Sequence, residues 1–189
     1  IAHPRIRLTL LLVAGFSFFV SPYVVMVPVF ARDLFQGGAR TYGFLVGTAG
    51  LGSVCAAMLL AWRGGKRAAV GLDRMVGRTA LTGGLALASL AFVPSIQLAY
   101  PLLMVLGFSV VLTAAGSNTL IQIDVEEEYR GRVMAIFSTA FLGIAPLGSL
   151  VVGTLSEVQG VRPTLFACGV LAFLAGLAYR RRMRHQRNS

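Results

Sequence analysis

Charge is what this chain of 189 residues lacks over most of its length. Residues 8–31, 41–62, 79–123, 133–156 and 163–179 contain no Asp, Glu, Lys, Arg or His. A bilayer core of about 30 Å is crossed by about 20 helical residues. Backbone exposed to lipid must also satisfy its own hydrogen bonds, which favours helix. The stretch 79–123 is too long for one crossing, and Val93-Pro94-Ser95-Ile96-Gln97 divides it. The reading is an all-α membrane protein with six transmembrane helices, at about 8–31, 41–62, 76–93, 98–122, 133–156 and 163–180. Residues 1–189 form one bundle without an interdomain linker. The first stretch is too long for a signal peptide, and five comparable ones follow it.

Other absences exclude chemistries. No span contains a carboxylate: the acids are Asp33, Asp73, Asp124, Glu126, Glu127, Glu128 and Glu157. An intramembrane proton relay of the usual kind is therefore missing; if protons are moved, their carrier lies outside the chain or at a span end such as Asp33. Histidine occurs only at His3 and His185, so a serine hydrolase would lack its base, and no G-x-S-x-G elbow is present. Gly64-Gly65-Lys66-Arg67 lacks the spacing and the Ser/Thr of a phosphate-binding loop. Gly50-Leu51-Gly52 lies within a span with no strand before it, which fits helix packing rather than a dinucleotide turn. Cys55 and Cys168 lack metal or redox spacing and read as small apolar fillers. A polar filter or charged ring, the mark of an ion channel, is absent too. The sequence therefore implies no enzyme, no cofactor and no metal.

What is present is positive charge in particular places. Hydrophobic residues make up 56% of the chain, yet the net charge is +10. Fourteen of the 17 Lys and Arg residues flank the spans on one side: Arg5 and Arg7, then Arg63, Lys66, Arg67, Arg74 and Arg78, then Arg130 and Arg132, then Arg180, Arg181, Arg182, Arg184 and Arg187. Only Arg32, Arg40 and Arg162 lie on the other. This bias is the positive-inside rule and places both termini in the cytoplasm. It explains the charge without nucleic acid and allows anionic-lipid contact at the tail. The chain starts on Ile1, which points to a fragment or a processed product.

An internal repeat appears in spans two and five. Gly47-Thr48-Ala49-Gly50-Leu51-Gly52-Ser53 aligns without gaps to Gly143-Ile144-Ala145-Pro146-Leu147-Gly148-Ser149. An odd number of connections separates the two three-helix units, so the second is inverted relative to the first. Inverted repeats characterise secondary transporters. The glycines Gly43, Gly47, Gly52, Gly148 and Gly153 permit close helix approach.

Polar residues inside the spans mark candidate sites. Asn118 and Gln122 share one face of span four, as do Thr113 and Ser117. Buried polar groups in lipid need partners, and substrate contact or interhelical hydrogen bonding would each supply them. Pro22, Pro28 and Pro146 interrupt the helical ladder and favour bends. Ser21, Tyr23, Ser138 and Thr139 would offer polar groups to a cavity beside those bends. Arg130 and Arg132 stand next to Glu126, Glu127 and Glu128. They form either an ion-pair latch at the cytoplasmic end or a solvated loop with pairs worth about 0–1 kcal/mol.

The string Ser117-Asn118-Thr119-Leu120-Ile121-Gln122, the acids Glu126 to Glu128, Arg130-Gly131-Arg132-Val133-Met134 and Pro146-Leu147-Gly148-Ser149 together resemble the major facilitator superfamily, in particular its branch of enterobactin exporters and related bacterial efflux proteins. His3-Pro4-Arg5-Ile6-Arg7 and Phe30-Ala31-Arg32-Asp33 look like segments flanking that branch's seventh helix. The resemblance implies the C-terminal half of a twelve-helix fold in a bacterial inner membrane, with an N-terminal six-helix half as partner. It implies alternating access, a small amphiphilic substrate such as a siderophore or drug, and protons as the coupling ion, as in an antiporter. It also implies that the first, second, fourth and fifth helices face the substrate path while the third and sixth lie outside. The competing reading is a truncated or stand-alone six-span protein with a structural or interaction role.

Overall fold

A computed structural model describes residues 4–63 and 71–188, with side chains to residue 186. His3, Lys66, Arg67 and the Arg187 side chain, counted above, lie outside the described residues. Among the described residues the fold is helical throughout: α1 (Pro4–Phe19), α2 (Tyr23–Val29), a π turn (Phe30–Leu34), α3 (Ala39–Trp62), α4 (Leu72–Leu90), α5 (Ile96–Asp124), a 3₁₀ turn (Glu127–Tyr129), α6 (Arg130–Ser138), a second π turn (Thr139–Gly143), α7 (Ile144–Gln159) and α8 (Val161–Asn188).

The first and fifth spans are each made of broken pieces. The first runs from α1 through α2 and the first π turn, covering Pro4–Leu34; the fifth runs Glu127–Gln159. These two, with α3, α5 and α8, are the five helices among the described residues long and apolar enough to cross a membrane. The expected third span does not join them. Its helix, α4, starts at Leu72 rather than near residue 76 and stops at Leu90, so Asp73, Arg74 and Arg78 fall in its first two turns. The division between spans three and four lies where expected, because Pro94 cannot continue the helix and Ser95 is extended (φ −141°, ψ 150°).

Among the described residues α4 is the most enclosed element, and it does not line the groove described below. Twelve of its 19 residues are buried, packed between α5 and α8. The sequence explains this. Small residues line the contact, and a side chain at Gly84 would collide with the backbone at Phe173 and Gly169 on α8. Without a hydrophobic drive between helices in lipid, such close packing and hydrogen bonds hold a bundle together. Thr79 and Thr113 supply one bond between α4 and α5 (3.2 Å), and Thr82 and Ser109 a second (3.3 Å). The least buried spans are α3, with 22% of its apolar window enclosed, and the fifth, with 17%. The open faces of the bundle therefore belong to these two.

Among the described glycines, those at the α3–α5 crossing make the closest backbone approaches. A Cβ on Gly52 would overlap the Met104 carbonyl, and one on Gly107 the Ala49 carbonyl. The Ser53 hydroxyl donates across the same crossing to the Gly107 carbonyl at 3.2 Å. The other repeat copy behaves reciprocally: Gly148 meets the Phe18 backbone of α1. Close approach thus falls at Gly52 and Gly148, while Gly43, Gly47 and Gly153 have nothing within 4 Å of where a Cβ would lie. Their role as packing glycines within this chain is corrected accordingly.

The basic segments gather at one end of the bundle. Arg5 at the start of α1 pairs with Asp124 at the end of α5 (3.1 Å). Gly77 in α4 packs on Tyr179 and Arg180 of α8. A second apolar cluster, of Ile6, Leu10, Val13, Ile121, Val125, Val133 and Phe137, closes this end between α1, α5 and α6. At the opposite end α7 and α8 are joined by Gly160 alone, whose φ of +90° a side chain would strain.

Candidate functional site

Spans one and five are both interrupted just past their midpoints. Pro22 lies fourteen residues after Leu8, where its charge-free stretch starts, and Pro146 thirteen after Val133. At the first break, Tyr23 N–H bonds back to the Val20 carbonyl (3.0 Å) and Val25 N–H to the Pro22 carbonyl (3.0 Å), a tight three-residue pattern. Pro22 has no N–H to return to Phe18, and the Phe18 carbonyl is the atom facing Gly148. In span five the second π turn precedes Pro146, which likewise offers no donor to Leu142. Pro28 lies inside α2, two residues before the first π turn.

The two breaks are tied together. The fully buried Ser17 hydroxyl donates to the Phe141 carbonyl at 2.5 Å. Phe141 sits in the widened turn, its ring stacked on Phe137 with centroids 6.2 Å apart. Beside this link a groove of about 760 Å³ opens, walled by Ser21, Val25, Phe141, Leu142, Pro146 and Ser149. It is largely apolar, with two serine hydroxyls, a composition suited to an amphiphilic ligand. The Ser149 hydroxyl is held by the Ala145 carbonyl (3.0 Å).

Of the expected cavity residues, Ser21 lines this groove. Tyr23 turns toward the main core. Thr113 (1% exposed) and Ser117 (0%) are enclosed by helices: Thr113 bonds Thr79 on α4, and the Ser117 hydroxyl has no partner among the described residues. Thr113 therefore serves helix packing rather than a cavity. Thr113→Val should cost about 0.6 kcal/mol, the average for an interhelical hydrogen bond in a membrane; thermal unfolding checks it. Asn118 and Gln122 do share a face and bond each other, but Gln122 is exposed and both lie apart from the groove. Ser138 and Thr139 are exposed, and Thr139 donates to its own helix at Ala135 (3.0 Å).

At the basic end, Arg130 pairs with Glu127 three residues before it, at 3.6 Å. Glu126, Glu128 and Arg132 are exposed. Arg5–Asp124 is an ion pair that joins two helices, and Asp73 is buried at the start of α4. Sequence reasoning missed Ser17, Phe141, Ser149 and this pair. The breaks at Pro22 and Pro146 marked the neighbourhood of the first three, but not the hydroxyl–carbonyl link between Ser17 and Phe141.

Five helices long and apolar enough to cross a membrane, two of them broken beside a groove, define a helical integral membrane protein. The family model described as Transmembrane secretion effector matches residues 2–188. The chain belongs to that family, part of the major facilitator superfamily. It is also similar to the multidrug efflux pump Tap of Mycolicibacterium fortuitum, with 28% identity over 97 residues. The matched segment is 51% of this chain and 24% of that pump. No solved structure matches significantly.

Proposed function

We propose that this chain is the C-terminal six-helix half of a secondary transporter that exports a small amphiphilic molecule, of the siderophore or drug kind, by alternating access. The single observation that carries the reading is the groove between Ser21 and Ser149, where two discontinuous helices meet near the membrane midplane, the usual place for substrate in such folds. The exposed apolar faces of α3 (Phe44, Leu51, Met58) and of the fifth span (Leu142, Leu147, Leu150) support an N-terminal six-helix partner, since the groove needs a second wall. The reciprocal contacts of Gly52 with span four and Gly148 with span one support the inverted-repeat arrangement. The basic end is the cytoplasmic one, in a bacterial inner membrane, with protons as the coupling ion. Glu126 to Glu128, Arg130 and Arg132 lie at that end, where they could pair with the partner half as the cycle proceeds. The similarity to a multidrug efflux pump supports export, and the enterobactin-exporter-like strings at Ser117–Gln122 and Arg130–Met134 support a siderophore as one candidate.

The test is cysteine labelling in a Cys55→Ser background of the full-length transporter. Ser21→Cys and Ser149→Cys should react with a water-soluble maleimide, and a transported dye or siderophore should slow both reactions. Ser149→Trp should cut efflux at least tenfold, on the scale of misplacement effects in preorganised sites, about 10²-fold. If both cysteines stay inert and Ser149→Trp still exports, the groove is not the substrate path.

A further inference from the structure

A second groove, of about 660 Å³, lies at the basic end between the start of α1 and the last turns of α8. Its walls include Arg7, Leu8, Leu11, Arg181, Arg182 and His185. We infer that it binds the headgroup of an anionic phospholipid, with the phosphodiester among the guanidiniums of Arg7, Arg181 and Arg182 and an acyl chain lying along Leu8 and Leu11.

Three observations carry this. The first is charge without compensation. None of the wall residues is acidic, and among the described residues Arg7, Arg181 and Arg182 form no ion pair. Guanidiniums drawn together by helix packing repel one another, and an anionic oxygen cluster relieves that repulsion through charge-assisted hydrogen bonds. The second is the level of the groove. Leu8 begins one charge-free stretch and Tyr179 ends another, so both walls pass from apolar to basic at the same depth, the headgroup level. The third is the apolar floor. Leu11 is four residues after Arg7, on the same face and one turn deeper, and is 57% exposed. A free phosphate would use the arginines and leave Leu11 idle; an amphiphile with an anionic head uses both. Basic pockets between membrane helices on the cytoplasmic side hold lipid headgroups in this manner.

The full-length protein, purified in detergent, is titrated with phosphatidylglycerol, cardiolipin, phosphatidylethanolamine, inorganic phosphate and glycerophosphoglycerol, with thermal unfolding and native mass spectrometry as readouts. The two anionic lipids should raise the unfolding temperature and remain bound in the gas phase, and the other three additions should do neither. Arg7→Ala and Arg181→Ala should each weaken lipid binding about fivefold, the scale of one basic residue near an anionic surface, and Leu11→Gln should weaken it as well. Arg74→Ala and Arg184→Ala, each removing the same single charge outside the groove, should leave binding unchanged and control for folding. Equal stabilisation by phosphatidylethanolamine, by inorganic phosphate or by glycerophosphoglycerol overturns the inference. So does loss of binding in the control pair equal to that in the groove variants.

Discussion

Replacing Gly107 with leucine is expected to unseat α3 from α5 and destabilise the bundle by about 3 kcal/mol or more, the upper part of the range for overpacking. The magnitude follows from what the new side chain would strike. At Gly107 the nearest atoms are the Ala49 carbonyl oxygen, carbonyl carbon and Cα. A flexible side chain could rotate away, but a helix backbone can only translate. Separation of the helices would also break the bond from Ser53 to the Gly107 carbonyl and lose contacts at Gly52, which faces Met104. For a chain of this size about 3 kcal/mol corresponds to roughly 6–12 °C in unfolding temperature. Gly47→Ala, five residues before Gly52 in the same repeat and on another face of the helix, should show the opposite sign within this chain. Nothing lies within 4 Å of it, and alanine gains up to about 1 kcal/mol of helix propensity. Fluorescence-detected thermal unfolding of both variants decides the matter; equal destabilisation would mean that glycine content, not this crossing, holds the helices.

How legible the chain was depends on the physical scale of each feature. Spans are written in composition, because hydrocarbon excludes charge over whole turns of helix; five of the six expected spans therefore coincide with helices long and apolar enough to cross. At α4 the helix starts four residues before the expected 76, because helix hydrogen bonding runs through Asp73 and Arg74 without regard to where the apolar stretch begins. The burial of α4 was legible only in hindsight, from the density of Gly and Ala between Gly77 and Ala91. Glycine spacing was misread for a related reason. Gly43, Gly47 and Gly52 look alike in a sequence, but which face of α3 meets a neighbour is a property of the assembled bundle.

The site was harder to read because it is made largely of backbone. Its defining link is a hydroxyl on a carbonyl, Ser17 on Phe141, and no residue type advertises a carbonyl released by a proline and a π turn downstream. Polar side chains drew attention to Thr113, Ser117, Asn118 and Gln122, but a threonine or serine in an apolar helix serves a neighbouring helix as readily as a ligand. Ser21 was found because it touches Pro22, and the proline breaks were the part of the groove that local chemistry could announce.

Gly148→Leu should be the most damaging single change to transport. The new side chain would enter the space of the Phe18 backbone, where the nearest atoms are the carbonyl oxygen, its carbon at 3.0 Å and the Cα at 3.0 Å. Span five must then move away from α1. That movement pulls Phe141 off the Ser17 hydroxyl and displaces Pro146 and Ser149, two walls of the groove. Efflux should fall by about 10²-fold, the cost of misplacing a preorganised site by roughly 1 Å. Ser17→Ala separates the two contributions. It removes the hydrogen bond, worth about 0.6–1.7 kcal/mol in a membrane, but leaves Gly148 and the helix spacing intact, so efflux should drop only a few-fold. Cells expressing each variant at equal membrane levels, loaded with a fluorescent amphiphile, give both numbers. If Gly148→Leu exports as well as Ser17→Ala, the spacing of spans one and five does not set the substrate path, and the groove between them has lost its claim to function.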